Sequence, residues 1–229
     1  MKAKYILASL IVALTSIIPA SAQNAADGEE YAFDAPFLGL RGSLDISCPG
    51  KWKVNGEKIK LFGAGCGVNL GVVYNYPIGG GMYLEPGIGV FYDTMDAEAE
   101  MASVEGIPEY KTYNAWVGTL GLHIPLMVGY RVDFTPTSAL FLSTGPQLEI
   151  GFNAHLTDDQ HEGSSLAGEL YNTLLRRFDC QWKVGAGVAF NYHYYVGVEA
   201  AFGLANIAKH PEHVKFHRNL VQVTVGYNF

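Results

Sequence analysis

His210, Glu212, His213 and His217 lie close together near the C-terminal end of the chain and offer the donor types that a divalent metal takes. Their spacing matches no strong ligand pattern and no cysteine joins them, so a loop of solvated histidines is the simpler reading. Asp158, Asp159, His161 and Glu162 invite the same judgement. A Ser-His-acid relay would need a serine within reach of a histidine held in place. His123 is the one histidine inside a strand-like stretch, and no serine near it has a nucleophile's setting. The glycine-rich stretches do not open a helix as a phosphate loop would. No catalytic, metal-binding or cofactor-binding set emerges, and the chain reads as a non-enzyme with no cofactor.

The charges that stand out are in strands. Arg41, Asp45, Glu85, His123, Arg131, Glu149, Lys183 and Glu199 all occupy the polar side of segments with period-two alternation. On the other side stand Leu38, Leu40, Leu44 and Ile46; Val68, Leu70, Val72 and Tyr74; Leu84, Ile88, Val90 and Tyr92; and Trp116, Leu120, Leu122, Ile124, Leu126, Val128 and Tyr130. Four later segments continue the pattern, with Leu140, Leu142, Leu148, Ile150 and Phe152; Trp182, Val184, Ala186, Val188 and Phe190; Val196, Val198, Ala200 and Phe202; and finally Val221, Val223, Val225, Tyr227 and Phe229. That last strand suits either the end of a soluble sandwich or the closing strand of a membrane barrel.

The connections decide between them. They alternate long, short, long through the chain: long at Pro49–Phe62, Thr94–Glu109, His155–Arg176 and Lys209–Arg218, and short at Gly79-Gly80-Gly81, Asp133–Thr137 and Asn191–His193. Such sidedness belongs to a membrane barrel with short turns at one end and longer external loops at the other; a Greek-key sandwich has no reason to produce it. Within the third long loop, Leu166, Leu170 and Leu174 repeat every four residues and suit a short amphipathic helix over the rim.

Two features turn the apolar face outward. Glycine concentrates on the polar face, where a narrow eight-stranded lumen must make room for a few large side chains. No apolar-face position carries a charge, which at a bilayer midplane would cost about 2–4 kcal/mol for Arg or Lys. The aromatic residues fall into two belts: Tyr74, Tyr76, Tyr130, Phe134, Phe190, Tyr192, Tyr194, Tyr227 and Phe229 near the short turns, and Tyr92, Trp116, Phe152, Trp182 and Phe202 toward the loops. The expected fold is all-β: an eight-stranded antiparallel up-and-down transmembrane β-barrel over residues 36–229. Its polar face becomes an interior network of Arg41, Glu85, His123, Arg131, Glu149, Lys183 and Glu199, because buried charges must pair. Lys183 with Glu199, and Arg131 with Glu149, sit on adjacent strands and are the expected pairs. A plugged lumen is the leading expectation; a narrow, water-filled pore for small solutes is the other. Pro86, Pro125 and Pro146 are expected to mark bulges.

Lys2 and Lys4, an apolar run to Ile18 and Ala20-Ser21-Ala22 form a signal peptide over residues 1–22, with an acidic lead-in over residues 23–35 at the periplasm or surface. Removing Lys2 and Lys4 from 15 basic residues leaves 13 against 22 acids, a net charge of −9 that argues against nucleic acid as a partner. Twenty-seven glycines and only 16% charged residues favour strands and turns over helices. Cys48 ends one strand and Cys66 begins the next, so an exported chain could close that loop with a disulfide; unpaired cysteines are the alternative.

His123-Ile124-Pro125-Leu126, Gly129-Tyr130-Arg131, Phe178-Asp179, Gly203-Leu204-Ala205-Asn206-Ile207 and the terminal Gly226-Tyr227-Asn228-Phe229 give the mature chain its resemblance to the PorT-like outer-membrane β-barrel family, the porin-family barrels. At His123 the chain departs from that family, which often has an acid there. The resemblance implies a barrel in the cell outer membrane, in contact with its lipid. It also implies insertion by the barrel-assembly machinery, which reads the terminal strand through Val221, Val223, Val225, Tyr227 and Phe229. It names no partner for the external loops.

Overall fold

The computed structural model describes residues 32–54, 57–59, 62–96, 115–158, 170–209 and 214–229. The expected signal peptide, most of the lead-in, and His161, Leu166, His210, Glu212 and His213 lie outside the described residues. Eight of the strands are β1 (Phe37–Pro49), β4 (Gly65–Gly79), β5 (Met82–Asp96), β6 (Ala115–Thr135), β7 (Ser138–Asp158), β8 (Phe178–Phe190), β9 (Tyr194–Gly203) and β11 (Arg218–Asn228). They form one closed barrel in the order β1-β11-β9-β8-β7-β6-β5-β4. Closure is antiparallel, from Gly39 opposite Asn228 to Pro49 opposite Arg218. With no free edge, every strand has a partner on both sides, the condition lipid imposes on a spanning sheet.

The pleat sorts the side chains. On the closing strands Leu44 and Val225 are 66% and 58% exposed, whereas Asp45 and Gln222 are 1% and 2% exposed. The apolar residues therefore form an external belt, and the polar residues fill the lumen. A belt this continuous on a water-facing monomer would far exceed an ordinary apolar patch.

The turns show where backbone freedom is required. Gly79, Gly80 and Gly81 all have positive φ, at 115°, 62° and 81°, a conformation that only glycine takes without strain. At the β8–β9 turn Asn191 and Tyr192 take φ of 48° and 61°. Tyr192 is held there because its amide donates to the Thr137 carbonyl at 2.7 Å and its own carbonyl accepts from Asn228 Nδ2 at 2.8 Å.

Several expectations need correction. The first long loop is not irregular throughout: β2 (Trp52–Val54), β3 (Glu57–Ile59) and β10 (Val214–Lys215) form a separate three-stranded sheet in the order β10-β2-β3. Among the described residues of the third long loop the helix is one turn, α1 (Leu170–Thr173), with Leu170 buried. Pro86, Pro125 and Pro146 mark no bulge; pairing keeps its register through each, because a missing N–H removes one ladder bond without adding a residue. The shifts fall instead at Pro77/Gly79, Leu120/Gly121 and Asp133/Thr135. Cys48 and Cys66 are free, both exposed on the outer face, and it is Ile46 that stands opposite Cys66. Tyr192 leaves the outer belt and turns inward, since its positive φ points the ring at the lumen.

Candidate functional site

The lumen is filled in three layers. At the short-turn end the lead-in folds into the barrel mouth instead of staying outside: Ala32–Asp34 form a 3-10 turn, and Phe33 is fully buried. Its ring packs edge-on against Phe141 at 5.3 Å and lies 5.3 Å from Tyr192, with Phe37, Tyr83 and Tyr195 completing the cluster. Aromatic edges and faces attract beyond the area they bury, which suits a wedge of this kind. Arg131 holds the wedge, donating to the Phe33 carbonyl and to the Asp34 carboxylate. Its Nε also lies 2.7 Å from Asp133.

Arg131 thus does not meet Glu149, the partner expected from strand adjacency. The β6–β7 register places Phe141 opposite Arg131 and His123 opposite Glu149, so the two charges stand at different heights.

The middle layer is polar. Lys183 Nζ lies 2.7 Å from Glu199 Oε2, which also accepts from Thr224 Oγ1 at 3.1 Å. Arg41 lies over the Tyr195 ring at 4.3 Å, and Asn75 Nδ2 donates to Glu85 at 3.0 Å. Asp45 accepts from Ser43 Oγ at 2.6 Å, from Gln222 Nε2 at 3.0 Å and from Asn69 Nδ2 at 3.0 Å. His123 is buried against Gly89, where an added Cβ would strike its ring. A cavity of about 40 Å³ remains among Arg41, Glu85, His123, Lys183, Tyr195 and Glu199, room for about two or three waters.

Toward the loops, Arg218 spans the lumen from β11. It donates to Glu149 on β7, and at 3.3 Å to Asp93 on β5. Its guanidinium also lies 5.2 Å from the centre of the Phe91 ring. Gln147 Nε2 donates to Glu149 at 2.9 Å, and Gln181 Nε2 to Asp179 at 2.9 Å. Arg218 answers two carboxylates at once, which offsets the cost of burying them. Above them Phe62, Met95, Val117, Ala154, Leu170, Leu175, Ile207, Ala208 and Phe216 pack into an apolar lid drawn from three loops and the loop ends of β5, β6 and β7. Tyr171 hangs beneath this lid beside Arg177, ring centre to guanidinium 5.3 Å. Burial pushes its hydroxyl up to about 12, so it adds no negative charge near Glu149.

Residues 22–209 match the family model described as outer membrane protein beta-barrel domain. The chain belongs to that family. This outer membrane β-barrel is accordingly a protein of the cell outer membrane, and its apolar belt faces lipid. Among solved structures it is similar to OprG from Pseudomonas aeruginosa, at 15% identity and TM-score 0.47, over 89% of this chain and 99% of that one. Neisserial surface protein A is similar at 12% identity and TM-score 0.42, over 84% and 97%. The attachment invasion locus protein Ail of Yersinia pestis, solved with the heparin analogue sucrose octasulfate, is similar at 12% identity and TM-score 0.39, over 85% and 99%. No curated protein matches the chain.

The barrel's closing strand carries Val221, Val223, Val225, Tyr227 and Phe229 on the lipid face, all at least 38% exposed. Arg218, Asp93 and Phe33 are the residues that sequence reasoning missed. Arg218 shares the parity of Leu220 and Gln222, and that signal would have placed it inside. Phe33 had none, because an aromatic in a short, acidic, aperiodic stretch has no period to read.

Proposed function

We propose that this outer-membrane barrel is a closed, non-enzymatic envelope protein that conducts no solute steadily. In this reading its external loops contact surface partners or stabilise the envelope. The observation that carries the reading is Arg218 bridging β5, β7 and β11 beneath the apolar lid, with the Phe33 wedge sealing the opposite mouth. Ion pairs fill the lumen between these seals, leaving a pocket only a few waters in size. Single-channel recording of the mature protein in planar bilayers tests it. The expected trace shows no steady open level; a stable ohmic conductance would establish the narrow-pore reading instead, for which the polar lining of the central cavity speaks.

Two finer assignments belong to the same proposal. Within its family the chain groups with the PorT-like barrels, on the residues quoted above. Its insertion depends on the barrel-assembly machinery reading the outward row of β11. A Tyr227→Ser/Phe229→Ser variant should then accumulate as unassembled protein in cells, measured by the loss of the heat-induced gel shift, while still refolding into detergent from urea.

A further inference from the structure

The small sheet outside the barrel carries a row of like charges. Lys215 on β10 stands opposite Lys53 on β2, and Lys53 opposite Lys58 on β3. Lys53 and Lys215 are exposed. Directly opposed like charges destabilise a sheet unless an anion joins them, and the row belongs to a chain that is acidic overall.

Register shows which way the row faces. The β1–β11 ladder runs from Pro49 opposite Arg218 through a Gly50 amide bond to the His217 carbonyl, 2.9 Å, and reaches Lys53 opposite Lys215. Four steps on one side thus match three on the other, a one-residue bulge between β1 and β2. On the β11 side the alternation is unbroken: Phe216, Arg218 and Leu220 are buried, and Lys215 lies on the outward side with Val221. The bulge brings Lys53 to that same side; without it Lys53 would fall on the inward face. Trp52, Val54, Glu57, Ile59 and Val214 hold the alternate positions.

Height completes the placement. Asn219 stands opposite Phe202, a half-exposed member of the loop-end aromatic belt. Lys215 lies four residues further along the wall, about 13 Å of strand and about 10 Å of height once barrel tilt is allowed for. The headgroup layer beyond the hydrocarbon is about 5–8 Å thick, and lysine stems lie along apolar surface with the ammonium in the polar layer.

We propose that Lys53 and Lys215 bind the phosphate groups of the outer-leaflet lipid, clamping the wall at β1 and β11 to the leaflet around it. The proposal goes beyond the closed-lumen reading and needs only the membrane-embedded barrel. The test is native mass spectrometry of the detergent-extracted barrel. Its probes are a diphosphorylated glycolipid, the same lipid without phosphates, inorganic phosphate, and heparin as a soluble polyanion. The wild type and a Lys53→Arg/Lys215→Arg variant should retain the diphosphorylated lipid and not its dephosphorylated form. Lys53→Ser/Lys215→Ser should bind it at least about tenfold more weakly, since each lysine adds roughly fivefold to attraction for an anionic surface. Equal retention by all three proteins overturns the proposal, and so does binding of heparin or inorganic phosphate without lipid. The heat-induced gel shift confirms that each variant is folded. If the serine variant lacks the shift, Lys53→Gln/Lys215→Gln decides by the same two readouts.

Discussion

The two mouths of this barrel are shut by opposite chemistries. At the short-turn end the seal is local and aromatic: Phe33 enters from a segment just ahead of β1, and a single arginine, Arg131, pins its backbone and its neighbour Asp34. At the loop end the charges lie deeper. Arg218 ties Glu149 to Asp93 below a lid assembled from three separate loops and the ends of three strands. Asp34, the acid of the lower seal, is 49% exposed, whereas Glu149 and Asp93 are 4% and 1% exposed. Equivalent charge removals should therefore have unequal effects. The upper carboxylates are almost wholly shielded from solvent, and the lower one is half exposed.

The largest effect should come from Arg218→Leu, which strands two buried carboxylates. A loss of about 3–5 kcal/mol is expected, measured by urea unfolding in detergent micelles, and Arg218→Leu/Glu149→Gln/Asp93→Asn should recover much of it. Phe33→Ala comes next, at about 3 kcal/mol by the lower bound for truncating a buried aromatic. It should also make the lead-in sensitive to protease added from the short-turn side. Arg131→Leu should cost less, about 1–3 kcal/mol, with the same gain in cleavage. If Arg131→Leu proved as damaging as Arg218→Leu, the contrast between the seals would fail. The smallest effect is expected at the outer face: Cys48→Ser and Cys66→Ser should each change stability by no more than about 0.5 kcal/mol. Neither should alter mobility on non-reducing gels.

How much of this was legible depended on the range of the interaction. The eight spanning strands, their order and the outward apolar face were readable because period-two alternation is a local property and lipid tolerates no charge along Leu44, Val198 or Val225. The Lys183–Glu199 meeting also lay within reach, since β8 and β9 are joined by a short turn and pair directly. Arg131 with Glu149 failed although β6 and β7 are also neighbours, because adjacency does not place two residues at the same height. Arg218 with Glu149 and Asp93 could not be read at all, since those residues belong to strands that are not neighbours and meet only across the lumen. The short β2 and β3 strands escaped for another reason: three residues are too few to show a period.

By itself the sequence determined that this chain makes a barrel, which face meets lipid and which end carries the loops, because each follows from side-chain alternation and connection length. Only the tertiary structure decided which charges neutralise one another, that the lead-in becomes a wedge, and that one inserted residue turns Lys53 to the outward side of the wall. Those outcomes depend on register and on distances across a closed ring, and a ring has no distances until it has closed.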